Sequence, residues 1–139
     1  MSEPLACEIV TPSGRLFSGE AEYVSAPAAE GDIGFLHQCA PFMSTLKRGA
    51  VRIKETMAGE DADVFAVNGG YVEADGRKVV VLASHAINVA EVDVEIAQER
   101  IAANEQRLAE LSEDDSRAVF IRDEIEWQNY LVTLVGQPA

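Results

Sequence analysis

The chain has 139 residues, with 24 acidic against 11 basic side chains and a formal net charge of −13. That charge repels the phosphates of nucleic acid and the headgroups of an anionic bilayer, which argues against a nucleic-acid partner and disfavours direct binding to such a membrane surface. A hydrophobic content of 47% supports the core of one ordinary domain, or of a small domain with an appendage.

No apolar run is long enough to span a bilayer, and no basic-then-apolar leader opens the sequence. The expectation is a soluble chain that stays where it is made. Cys7 and Cys39 lack the setting of a secreted disulfide scaffold and are expected to be reduced thiols. With His37 and His85 they make two cysteines and two histidines, but no C-x-x-C or H-x-x-x-H spacing joins them. No metal and no other cofactor is expected.

The first two-thirds is punctuated like an all-β unit. Leu5, Cys7 and Ile9 alternate with Ala6, Glu8 and Val10, the period of a half-buried strand, which Thr11-Pro12-Ser13-Gly14 turns. Arg15 to Phe17 reads as a short strand ending at Ser18-Gly19, and Glu20 to Ala26 as another, halted by Pro27. Glu30 to Pro41 mixes two glycines, an acid, an aromatic-aliphatic pair and a closing Ala-Pro, which no regular element tolerates. Gly31 and Gly34 permit positive φ there, so a shaped loop around a very short strand is expected. Such a loop serves either as a sandwich corner or as a recognition surface.

Phe42 to Leu46 is extended and Lys47-Arg48-Gly49 turns it into Ala50 to Met57. Strands follow at Asp63 to Val67, Tyr71 to Ala74 and Arg77 to Ala83, joined by Asn68-Gly69-Gly70 and by the hairpin signal Asp75-Gly76. Short strands with turns roughly every 8–12 residues indicate a sandwich or barrel.

From Val92 there is no glycine until Gly136, and the apolar period lengthens to that of a helix. A first helix is predicted from about Asp93 to Leu111, with Val94, Ala97, Ile101, Leu108 and Leu111 on one stripe that Asn104 interrupts. Ser112-Glu113-Asp114-Asp115 reads as a capping box for a second helix, the serine capping and three acids in the first turn. That helix carries two apolar stripes. Ala118, Ile121, Ile125, Gln128, Val132 and Val135 match the first helix, while Phe120, Trp127, Leu131 and Leu134 lie beside them. One helical partner cannot cover both, so a second surface is needed: the β unit, another chain, or each in turn. The fold class is therefore α+β by segments: a β domain at 1–86, a linker at 87–91 and a helical hairpin at 92–139.

Catalytic signals are missing. There is no G-x-x-x-x-G-K-[ST] loop and no G-x-S-x-G elbow, and Ser84-His85 adjacent in sequence cannot act as nucleophile and base. The acids mostly form a solvated helix face.

The order of motifs is recognisable. Glu30-Gly31-Asp32-Ile33-Gly34-Phe35-Leu36, Ala40-Pro41, Gly49-Ala50-Val51, Asn68-Gly69-Gly70-Tyr71-Val72-Glu73 and Val79-Val80-Val81-Leu82-Ala83, followed by an acidic αα-hairpin, resemble the epsilon subunit of rotary ATP synthases, called delta in mitochondria. The resemblance implies an N-terminal ten-stranded β-sandwich and a C-terminal antiparallel αα-hairpin. It implies a non-catalytic rotor subunit in the central stalk, at the cytoplasmic face of the inner membrane. Its partners would be the gamma subunit and the c-subunit ring, with alpha and beta reachable by the C-terminal helices. Such a subunit couples proton-driven rotation to ATP synthesis and, in many bacteria, restrains hydrolysis.

The resemblance also carries site residues. Asp32 and Cys39 match family positions that face the c ring. Where the family commonly has Leu-Pro-x-His-Ala-Pro, this chain has Leu36-His37-Gln38-Cys39-Ala40-Pro41, so Cys39 replaces a group that can carry charge. Some members bind ATP at the start of the first helix. Asp93 and Ala97 match that motif, but its arginine is Ile96 here and Glu95 would repel phosphate, so ATP binding is not expected. Inhibitory members carry basic residues on the second helix. This chain has only Arg117 and Arg122 among six acids there, and strong inhibition is not expected. Two rivals of other classes are a free ATP-sensing module that folds its hairpin over nucleotide, and a small acidic hydrolase.

Overall fold

The computed structural model describes residues 3–136. The chain divides into two compact units, 1–88 and 89–139.

The first unit holds ten strands: β1 Leu5–Thr11, β2 Gly14–Ala21, β3 Tyr23–Ala28, β4 Gly31–Phe35, β5 Phe42–Thr45, β6 Gly49–Lys54, β7 Asp63–Val67, β8 Gly70–Ala74, β9 Lys78–Ala83 and β10 Ala86–Asn88. They form two five-stranded sheets, ordered β2-β1-β9-β8-β5 and β10-β7-β6-β3-β4. Every pairing is antiparallel except β1 with β9. Alternate residues of both sheets point inward, as a period of two requires. Leu5, Cys7, Ile9, Val72, Val79 and Val81 from one sheet meet Val24, Phe35, Val51, Ile53, Phe65 and Val67 from the other in one buried core. Each such aliphatic side chain contributes roughly 1.5–3 kcal/mol when removed from water.

Two strands run past the stops that the sequence signals. β2 continues through Ser18-Gly19, because Gly19 pairs with Cys7 and lies under the Phe17 ring, which would stand 3.1 Å from an added Cβ. β3 continues through Pro27. Its ladder to β6 ends at Ser25, so the missing N–H of Pro27 breaks no pair there. The Pro27 carbonyl accepts from the Lys47 N–H at 2.8 Å, and Gly49 lets its chain pass against the proline ring. Residues 87–91, read as a linker, hold the end of β10 and a single 3-10 turn, Val89–Glu91.

The second unit contains α1 Val94–Ala109 and α2 Ser116–Val135, packed against each other. Asp93, read as the first residue of the helix, is instead its cap: its carboxylate accepts from the N–H groups of Glu95 and Ile96 at 3.0 and 3.2 Å. The capping box at Ser112 is a misreading. Asp115 caps α2, accepting from the Arg117 N–H at 2.9 Å, while the Ser112 carbonyl accepts from the Asp115 N–H in the connecting turn. Glu113 and Asp114 therefore lie outside the helix, and no acid occupies its first turn. The stripe pattern holds in part. Ala118, Ile121, Trp127, Gln128, Leu131 and Leu134 are buried, and Gln128 donates to Glu124 at 2.9 Å. Phe120, placed with Trp127 on one stripe, is 75% exposed. The end of the hairpin reading, residues 137–139, lies outside the described residues.

Candidate functional site: the 30–41 loop and its two hollows

β4 is short because both of its ends are shaped. At its start the β3–β4 hairpin closes on Ala29-Glu30, with Gly31 at φ +134°, a conformation that L side chains rarely adopt. The Ser44 hydroxyl accepts from the Ala29 N–H at 3.2 Å and so ties this turn to β5, in the opposite sheet. Gly34 has another task than positive φ, which it does not adopt. The Tyr23 ring lies over it so closely that any side chain would collide with the phenol.

At the other end, residues 36–41 cross from β4 to β5. Gln38 sits at φ +68°, the one non-glycine residue with positive φ among those described. Gly76 holds it there. The Gln38 N–H donates to the Gly76 carbonyl at 2.6 Å, and the Cys39 N–H donates to the Leu36 carbonyl at 3.0 Å. Gly76 is itself at φ +91°, and a Cβ on it would stand 2.8 Å from the Cys39 carbonyl oxygen. Asp75 fixes the turn by accepting from the N–H groups of Arg77 and Lys78, both at 2.9 Å. Those bonds hold its carboxyl below the usual carboxylate range. His37 Nε2 lies 3.1 Å from a Glu3 carboxylate oxygen.

The two site candidates are not brought together. Asp32 is exposed and lines a hollow of about 430 Å³ with Glu30, Ile33, Phe42, Met43 and Ser44. Cys39 is half-buried against the core and lines a second hollow of about 580 Å³ with Glu3, His37, Asp75 and Arg77. Along β4, Asp32 and Phe35 are separated by roughly 10 Å at ~3.3 Å per residue, with the 36–39 loop beyond. One end of the loop thus presents an open carboxylate, and the other a polar recess in which Cys39 supplies a small packed thiol. Ser44, Asp75 and Gly76 shape these hollows and were missed as site residues. Asp75-Gly76 was legible as a turn, but its seat beside Gln38 follows only from the pairing of β5 with β8.

The remaining candidates have structural work. The Asp93 carboxylate is occupied by its cap, and Ala97 is buried, its N–H donating to the Asp93 carbonyl at 3.0 Å. Ile96 is 46% exposed and offers no polar group. Arg117 is bound twice to Asp115, at 3.1 and 2.7 Å, which brings the Asp115 pKa down to about 2. Cys7 and Cys39 are free thiols, and burial, then the nearby Glu8 charge, pushes Cys7 up to about 12. Among the described residues no three His, Cys, Asp or Glu side chains converge on a possible metal position.

Known proteins match this chain in sequence and in fold. Residues 4–89 match the sequence model of the β-sandwich domain of the ATP synthase delta/epsilon chain. The chain is 38% identical over 112 residues to ATP synthase epsilon chain 1 of Methylococcus capsulatus, covering 81% of this chain and 79% of that one. It is 43% identical over 82 residues to the ATP synthase epsilon chain of Caulobacter vibrioides, covering 59% of this chain and 92% of that one. Its fold is similar to a chain in the mitochondrial ATP synthase of Euglena gracilis, solved with OSCP, F1 and c ring, with a TM-score of 0.74 at 14% identity over 95% of this chain and 81% of that one. With a sandwich of the family's kind and relatives above 30% identity along most of its length, the chain belongs to the delta/epsilon family of ATP synthase subunits.

Proposed function

We infer that this protein is the non-catalytic epsilon-type subunit of the central stalk of a rotary ATP synthase. It binds gamma, rests on the c ring and couples rotation of the ring to ATP synthesis. The observation that carries the reading is the family match across the whole sandwich, residues 4–89, together with relatives named as ATP synthase epsilon chains. No helix among the described residues is long and apolar enough to cross a membrane, and the subunit is peripheral within the complex. Its place is the cytoplasmic face of a bacterial inner membrane, and protons are the coupling ion.

Within that reading, the hollow lined by Asp32 meets a basic or polar loop of the c ring, and the recess at Cys39 adds packing without charge. The hairpin neither holds ATP nor restrains hydrolysis strongly. Its matching Asp93 is spent as a cap, and α2 approaches an acidic catalytic partner with like charge. The Caulobacter relative supports a separable hairpin. Since 82 aligned residues are 92% of that chain, it is about 89 residues long, close to the sandwich unit of 88.

The test is reconstitution. Mixed with the gamma subunit of the same organism, the full chain is expected to elute as a stoichiometric complex on size exclusion. Separate elution at micromolar concentrations would overturn the reading.

A further inference from the structure

Asp32, the open carboxylate of the loop, sits on a thinly supported part of the sandwich. β4 is an edge strand: it lies at the end of its sheet and pairs with β3 alone. Opposite Asp32 stands Pro27, which has no N–H to offer and whose carbonyl accepts from the Lys47 N–H. Side chains must therefore supply what the ladder does not. On the inward side Phe35 is buried and Ile33 packs against the core, while the Ser44 tie holds the turn before the strand. Asp32 and Gly34 face outward, by alternation. There the anchor is Tyr23, whose phenol lies across Gly34, with ring carbons 2.6 and 2.7 Å from where a Cβ would be. Gly34 is opposite Ser25, so Tyr23 is its diagonal neighbour, within reach of an aromatic side chain. A ring laid over a strand glycine gives the packing that the glycine lacks. Tyr23 has a firm base for this, because it stands on an inner strand and pairs with Lys54 of β6.

We propose that Tyr23 is a positioning residue for the c-ring contact. Its phenol clamps β4 at Gly34 and so holds the Asp32 carboxylate, two residues away on the same face. This role rests on the reading of Asp32 as a c-ring contact. Without the clamp, an edge strand with a proline opposite its charged residue opens from its free side, and the carboxylate loses its fixed place.

Two readouts test the role. The first is amide hydrogen exchange in the free full chain. In Y23A the amides of residues 31–35 are expected to exchange about tenfold faster, with β7 unchanged, while Y23F keeps the wild-type rates. G34A displaces the phenol from the other side and is expected to match Y23A. The second is proton uptake per ATP hydrolysed by purified synthase in vesicles. It is expected to fall about twofold or more in Y23A and in D32N, and to be restored in Y23F. Unchanged exchange in Y23A, or faster exchange throughout the sandwich, would overturn the clamp. So would a loss of coupling in Y23F equal to that in Y23A. Wild-type coupling in Y23A beside a loss in D32N would overturn the positioning role alone, whereas wild-type coupling in D32N would contradict the reading of Asp32 itself.

Discussion

Gly76 shows how one residue can set the shape of a loop it does not belong to. It must keep φ at +91° and must lack a Cβ, because the Cys39 carbonyl would be 2.8 Å away. Gly76→Ala is therefore expected to destabilise the protein by about 1–3 kcal/mol, read from denaturant unfolding, and to release Gln38 from its positive φ. A change within a few tenths of a kcal/mol would mean that the 36–39 loop is not held there. Asp115 gives a residue-scale test with a pH axis. Its folded pKa, about 2, lies below the ordinary 3.8, so its contribution is present above the ordinary value and is lost as pH falls through the folded one. In the variant D115N the amide would still cap α2 but cannot titrate. The advantage in thermal stability of wild type over D115N is expected to narrow between about pH 4 and pH 2; a constant difference would contradict the Asp115–Arg117 pairing. The glycines of the loop also mark where sequence reading stops. Gly31 was legible as a positive-φ residue, whereas Gly34 is there because the Tyr23 ring covers it, a contact between strands that no local pattern encodes.

At the scale of elements, period and punctuation carried most strands and both helices, and failed where tertiary contacts overruled a local stop. Pro27 and Gly19 read as strand ends, yet each lies where no ladder bond is lost or where a side chain fills the gap. The misplaced cap at Ser112 has a similar cause. Two capping residues three apart compete, and Asp115, which also gains Arg117, wins. The hairpin built from these helices yields two predictions. Calorimetric titration of the isolated subunit with ATP is expected to show no binding at micromolar concentration, since Asp93 is occupied and Ile96 stands where an arginine would be needed. Deletion of residues 92–139 is expected to leave ATP hydrolysis by the assembled complex little changed. A large rise in rate would show that acidic charge on α2 does not prevent inhibition.

For the whole molecule, the candidate loop was legible in the sequence, and its division into two hollows was not. The run of motifs from Glu30 to Ala83 pointed to the loop, while the division of Asp32 and Cys39 between two hollows emerged only once β5 was seen to pair with β8 and to tie back to Ala29. Composition fits the same role: a core sufficient for a sandwich, and a net charge of −13 that opposes binding to nucleic acid. The most direct measurement is native mass spectrometry of the synthase purified through a tag on a catalytic subunit. One copy of this chain for each gamma is the expected result. A synthase that retains gamma and its c ring but lacks this chain would contradict a central-stalk role.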